Sequence, residues 1–136
     1  MAKMFGFCSA ILAIIITASS FTQTDDLAAS VKRGKDLYTL YCQKCHSADG
    51  AGQAGLYPPL AGAEYMKRPD TTLINIVLNG QSGEVTVNGA PYNDDMLPLN
   101  YLSDDEIADV LNFAKNSWGN KSTVAIKPGE VKQARQ

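Results

Sequence analysis

The chain has 136 residues, 45% of them hydrophobic and 19% charged, with a formal net charge of −2. That length suits one domain, and the apolar share excludes a disordered chain. Without a basic stripe or arginine-rich run, nucleic-acid binding is excluded as well.

Residues 1–20 read as a secretory signal. Lys3 is the only charge before Asp25, Phe5 to Ile16 is almost wholly apolar, and the small residues Thr17, Ala18, Ser19 and Ser20 follow. The apolar run falls short of the roughly 20 residues a membrane span needs. Cleavage is expected after Ser20, leaving residues 21–136 as the mature domain with its core at about 31–120. The alternative is an uncleaved N-terminal anchor, the one arrangement in which a membrane becomes a partner. Removing Lys3 leaves 11 basic against 14 acidic residues, a balance of −3. Cys8 lies inside the signal, ahead of most of the apolar run, where a lipid-attachment cysteine would instead follow it. It is expected to be discarded, so Cys42 and Cys45 are the thiols left in an oxidising compartment.

Asp25 to Ala29 reads as a loose leader. Val31, Leu37, Tyr38, Leu40 and Tyr41 then mark one face of a helix over 28–41, with Lys32, Arg33, Lys35 and Asp36 outward. Gly34 interrupts it at a cost of about 1 kcal/mol against alanine, tolerable where another element packs closely. The helix should end at or within Cys42 to His46. Ser47 to Gly62, rich in Gly, Ala and Pro and without a period, reads as a loop wrapped over something. Leu73, Ile76 and Val77 predict a helix over 69–79 capped by Gly80. Alternation at Glu84 to Val87 and the pair Asn88-Gly89 predict a small hairpin from Glu84 to Tyr92. A turn-rich run around Met96 follows. Ser103-Asp104-Asp105-Glu106 is a capping box opening the last strong helix. Ile107, Val110, Leu111 and Ala114 form its buried stripe, Phe113 and Trp118 extend it, and Gly119 is its expected C-cap. Lys121 to Gln136 reads as a polar tail, its fold open, any turn of helix starting at Glu130.

Chemistry concentrates in Cys42-Gln43-Lys44-Cys45-His46, the haem-attachment pattern C-x-x-C-H. Two thiols with two residues between them match the two vinyl groups on one porphyrin edge, and the adjacent imidazole can rise to the iron. Rival readings explain less. A thioredoxin-like pair belongs at a helix start beside a βαβ pattern, which is missing here. A structural zinc site needs four ligands, and the mature chain offers two cysteines and one histidine. A plain disulfide leaves the sole histidine unexplained. For the second iron ligand, position alone leaves Met66, Met96 and the lysines open. Met66 sits 20 residues past His46 at a helix edge, as a core residue would. Met96 lies 50 residues past it, far enough for the chain to wrap the haem and return on the opposite face.

Over roughly 31–120 the chain resembles the class I c-type cytochromes. Gly34, Tyr38 and Cys42, spaced by four, match the first helix of that family. Pro58-Pro59-Leu60 resembles its Pro-x-Leu segment, whose proline carbonyl accepts a hydrogen bond from the ligand histidine. Phe113 matches the aromatic that crosses the first helix near its glycine. Gly83 to Gly89, Tyr92-Asn93 and Asn116 to Asn120 are similar to small periplasmic cytochromes and cytochrome domains serving nitrite reductases and dehydrogenases. Two departures stand out. Ser47 replaces a glycine, a change expected to be harmless, and Leu97 separates Met96 from Pro98.

The resemblance implies an all-α cytochrome c fold, three to four helices around a covalent haem, with a small β-hairpin. It implies one haem c on Cys42 and Cys45, with iron held by His46 and Met96, and no catalytic residues. The implied function is periplasmic electron transport rather than enzymatic catalysis, with transient redox-protein partners and no small-molecule substrate. The alternative is a dedicated cytochrome subunit of a periplasmic oxidoreductase.

Overall fold

Two helices cross at a glycine, and the rest of the chain is arranged around that crossing. The computed structural model describes residues 26–136, so the expected signal, Cys8 and the cleavage point lie outside the described residues. Helix α1 covers 26–41 and crosses α4, Asp104–Lys115. A Cβ built on Gly34 would stand 1.9 Å from the Asp109 carbonyl oxygen and 2.8 Å from the Phe113 Cβ. The backbones therefore meet where a side chain would have to stand, and the helix-weakening residue is the condition for the contact.

Polar groups lock this crossing. The buried Asp109 carboxylate accepts from Ser30 Oγ at 2.6 Å and from Arg33 Nε and Nη2 at 2.6 and 2.8 Å. Asn112, 1% exposed, donates to Ser30 Oγ and to the Ile126 carbonyl, both at 2.9 Å, and accepts from Ile126 N–H at 2.8 Å. Residues 26–29, expected within a loose leader, are helical. Ser30, which follows them, finds its partners 79 and 82 residues away on α4, which local sequence does not reveal.

After α1 come α2, Gln43–His46, and a 3-10 turn, Glu64–Lys67, then α3, Asp70–Asn79. Strands β1, Val85–Val87, and β2, Ala90–Tyr92, pair antiparallel with Val85 opposite Tyr92 and Val87 opposite Ala90. Asn88 and Gly89 turn at φ 50° and 80°, the left-handed pair that a two-residue hairpin requires. Glu64 and Asn88 exchange backbone-to-side-chain bonds of 3.1 Å, fixing the hairpin to the 3-10 turn. Two clusters form the core. Leu73, Ile74, Val77 and Leu78 of α3 pack with Ile107, Ala108 and Leu111 of α4, and with Leu102, Ile126 and Val131. Ala63, Val87 and Tyr92 make the smaller one.

The capping box at α4 is present, with Ser103 Oγ accepting from Glu106 N–H and the Glu106 carboxylate accepting from Ser103 N–H at 2.8 Å. Those bonds hold the Glu106 carboxyl below its ordinary range. Gly119 does not cap this helix. It ends at Lys115 with Asn116 as C-cap, and Gly119 serves a later turn at φ 87°. The tail also departs from expectation, because α5 spans Pro128–Ala134 and starts at the proline rather than at Glu130. Proline suits the first helical position, where its missing N–H is not needed. Val131 is fully buried against α3 and α4, and Arg135 reaches Asp104 Oδ1 at 2.6 Å and the carbonyls of Asn100 and Leu102. The helices among the described residues number five, α2 being a single turn, against the three to four expected.

Gly34→Ala is expected to lower stability by about 3 kcal/mol, the upper part of the usual overpacking range. The check is a urea titration, with the midpoint falling and the slope unchanged.

Candidate functional site

The turn bearing the two cysteines is a continuation of α1. Cys42 N–H donates to the Tyr38 carbonyl at 2.9 Å, and Cys45 and His46 N–H both return to the Cys42 carbonyl at 3.2 and 3.0 Å. One tight turn thus carries both thiols and the imidazole. Both thiols are free and partly buried. Burial, with the neighbouring Cys45 second, pushes the Cys42 thiol up to about 11, so it stays protonated at neutral pH.

His46 is set from the opposite side by a loop. Its Nδ1 lies 2.9 Å from the Pro58 carbonyl oxygen. A carbonyl can only accept, so Nδ1 carries the proton and Nε2 keeps its lone pair. Burial lowers the imidazole pKa, opposed by the bond to Pro58. The ring is therefore neutral, of fixed tautomer and free to ligate through Nε2. Pro58 reaches this position because residue 52 is glycine. At φ 67°, a Cβ there would stand 2.3 Å from the Tyr57 oxygen and 2.6 Å from the Pro58 oxygen. The loop closes on itself through Gln53 and Tyr57, which exchange bonds of 2.8 and 2.9 Å, and Gly52 N–H donates to the His46 carbonyl at 2.9 Å.

The segment after α4 staples this loop in place. Trp118 Nε1 donates to the Ala48 carbonyl at 3.2 Å, and a Cβ on Gly50 would strike the Trp118 ring at 2.6 Å. Asn120 Nδ2 donates to the Leu60 and Ala114 carbonyls, both at 2.9 Å, while its Oδ1 accepts from Gly62 N–H at 3.1 Å. Tyr38, Phe113 and Trp118 stack in a triangle, with centroids 4.9 to 5.3 Å apart. The Tyr38 hydroxyl donates to the Ser47 carbonyl at 2.6 Å. Sequence reasoning assigned no such positioning role to Tyr38, Trp118 or Asn120. Their signals were the apolar helix faces that include Tyr38 and Trp118, and the place of all three in motifs resembling the family.

Ser47 is not a neutral replacement for glycine. It sits at φ 66° and ψ 160°, a region essentially reserved for glycine, where strain is of order 1–3 kcal/mol. Its Oγ offsets part of this by donating to the Gly52 carbonyl at 2.9 Å.

The two methionines stand in different surroundings. Met66 lies in the 3-10 turn and packs against both core clusters. Met96 lies in the irregular segment after the hairpin, partly buried against the larger cluster. Its N–H donates to the Gln81 carbonyl at 2.8 Å and its carbonyl accepts from Gln81 N–H at 3.0 Å. Two thiols and a neutral imidazole on one turn fit a covalently held haem, the thiols matching its two vinyl groups and the imidazole its iron.

A family model described as Cytochrome c matches residues 31–118. The chain is similar to cytochrome c-552 of Thermus thermophilus, 36% identical over 127 residues, covering 88% of this chain and 85% of that protein. It is also similar to the cytochrome c subunit of the quinone-dependent alcohol dehydrogenase of Gluconobacter oxydans. There the identity is 36% over 104 residues, covering 75% of this chain but 22% of the subunit. The cytochrome c subunit of gluconate 2-dehydrogenase from Pantoea cypripedii is 35% identical over 129 residues, or 85% of this chain and 28% of that subunit.

Tyr38→Phe is expected to lower stability by about 1.5 kcal/mol, because the Ser47 carbonyl loses its partner in a strained turn. Thermal unfolding of the haem-loaded protein checks it.

Proposed function

The chain belongs to the cytochrome c family, and we propose that Cys42 and Cys45 carry its haem while His46 and Met96 bind the iron. Membership makes it an electron carrier with iron in a covalently held haem c. When bound, the haem supplies one-electron exchange between ferric and ferrous iron. Cys42 and Cys45 would hold it through thioether bonds to its two vinyl groups, each sulfur bonding one carbon and the thiol proton going to the other. His46 ligates through Nε2, and its Nδ1–H bond to Pro58 holds the ring's rotation and strengthens it as a donor. Met96 contributes a neutral thioether, which favours the ferrous form and raises the potential. With both side chains on the iron no position would be left for a substrate, so the protein would relay electrons rather than catalyse.

The observation that carries this reading is the 2.9 Å contact between His46 Nδ1 and Pro58, which leaves the lone pair of the other nitrogen available to a metal. Export to the periplasm is supported by the signal pattern of residues 1–20, with residues 21–136 as the mature cytochrome domain. Among the described residues no helix is long and apolar enough to cross a membrane. The partners are redox proteins, met through a small, short-lived contact. Leu56 and Leu97, 47% and 75% exposed, are apolar side chains available for it. The net negative charge suits basic patches opposite.

A second reading is a dedicated subunit of an oxidoreductase, favoured by the similarity to dehydrogenase cytochrome subunits. Size-exclusion chromatography of native extract separates the two. A free carrier elutes near or below the 14.6 kDa of the chain, whereas a subunit travels with its dehydrogenase.

The central test is Met96→Ala. The weak far-red band of sulfur-to-iron charge transfer in the ferric protein should vanish. The potential should fall by on the order of 100 mV, well inside the range that axial ligands span. An unchanged spectrum and voltammogram would remove Met96 from the ligand set.

A further inference from the structure

The segment that carries Met96 has little of its own to hold it. Asn93, Asp94, Asp95, Leu97, Pro98, Asn100 and Tyr101 are all exposed, leaving Met96 and Leu99 as the partly buried positions between 93 and 101. What fixes it is main chain. Gln81 and Met96 exchange both backbone hydrogen bonds, at 3.0 and 2.8 Å, and Leu99 N–H donates to the Val77 carbonyl at 2.8 Å. Three bonds from the end of α3 therefore hold the ligand residue itself and a point three residues beyond it.

Between those anchors stands Gly80, at φ 75° and ψ −176°. That region is essentially closed to any residue with a Cβ. A Cβ would in any case stand 2.4 Å from the Met96 carbonyl oxygen, 3.1 Å from Pro98 N and 3.3 Å from the Leu97 carbonyl carbon. All three are backbone atoms, so no side-chain rotation can make room. The glycine looks like an ordinary helix cap from sequence, but it is also the floor on which the ligand segment rests.

We infer that Gly80 is a positioning residue for Met96, the end of α3 serving as a backbone latch that holds the thioether at its working distance. The inference rests on Met96 as an iron ligand, as proposed above. The latch keeps the Met96 Cα in place, leaving the flexible side chain little freedom to swing away. The Gln81 side chain takes no part, since its amide donates only to the Ser82 carbonyl.

The test compares haem-loaded Gly80→Ala, Gln81→Ala, Met96→Ala and the destabilised control Gly34→Ala. Readouts are the ferric far-red band, the reduction potential and carbon monoxide binding to the ferrous protein. Gly80→Ala should weaken the band, lower the potential and bind the gas at least about tenfold faster, because its rate follows the fraction of time the ligand is away. Gln81→Ala should keep the parent values in all three readouts, and Gly34→Ala, which acts on the histidine side, should keep the far-red band and the parent's slow gas binding. If Met96→Ala leaves the band intact, the ligand assignment fails and this inference with it. If Met96→Ala abolishes the band while Gly80→Ala matches the parent in all three readouts, the latch alone is wrong. Should Gly80→Ala fail to accumulate, native-state hydrogen exchange on the parent protein decides. The Met96 and Gln81 amides should exchange at least about a hundredfold more slowly than that of Asp94. Equal rates overturn the latch.

Discussion

The close crossing of α1 and α4 at Gly34 is the constraint on which the rest of the structure depends. A side chain there would push Asp109 and Phe113 away, and with them the segment that follows α4. That segment fixes the loop over 48–62 through Trp118 and Asn120. The loop in turn presents the Pro58 carbonyl to His46. A missing Cβ thus reaches, through three packed layers, the protonation state of one imidazole nitrogen. Each step is short and mostly main chain, so there is little slack in the series.

The two faces of the site are organised differently. On the histidine side, donors and acceptors are numerous, and glycines at 50 and 52 allow backbone to approach ring or carbonyl within contact distance. On the methionine side, the segment is exposed and relies on backbone pairing with the end of α3. Arg135 of the tail adds a clamp on the carbonyls just beyond it. Buried polar groups at Asp109 and Asn112 are fully partnered, as interior polar atoms must be to avoid a desolvation penalty.

Features set by short-range rules were legible in the sequence. Ser103 and Glu106 meet within one turn, Asn88-Gly89 supplies its own positive φ values, and C-x-x-C-H places its groups by spacing alone. The contact between His46 and Pro58 came from likeness to a family, and the structure has it. What escaped depended on distant partners. The start of α1 is held by residues near position 109, and α5 forms because Val131 finds a buried place between α3 and α4. The end of α4 was misplaced because a glycine four residues on looked like a cap, while Asn116 performs that role and bonds Ser122 as well. The strain at Ser47 is a property of backbone angles that residue identity does not announce.

Trp118 is the sole tryptophan of the chain, and it sits where the first helix, the end of the fourth and the loop below the histidine converge. With a haem attached close by in sequence to its neighbour Ala48, energy transfer should keep its fluorescence dark in the folded protein. Light then returns when unfolding carries the two apart, so the molecule holds an indicator of its own unfolding that needs no label.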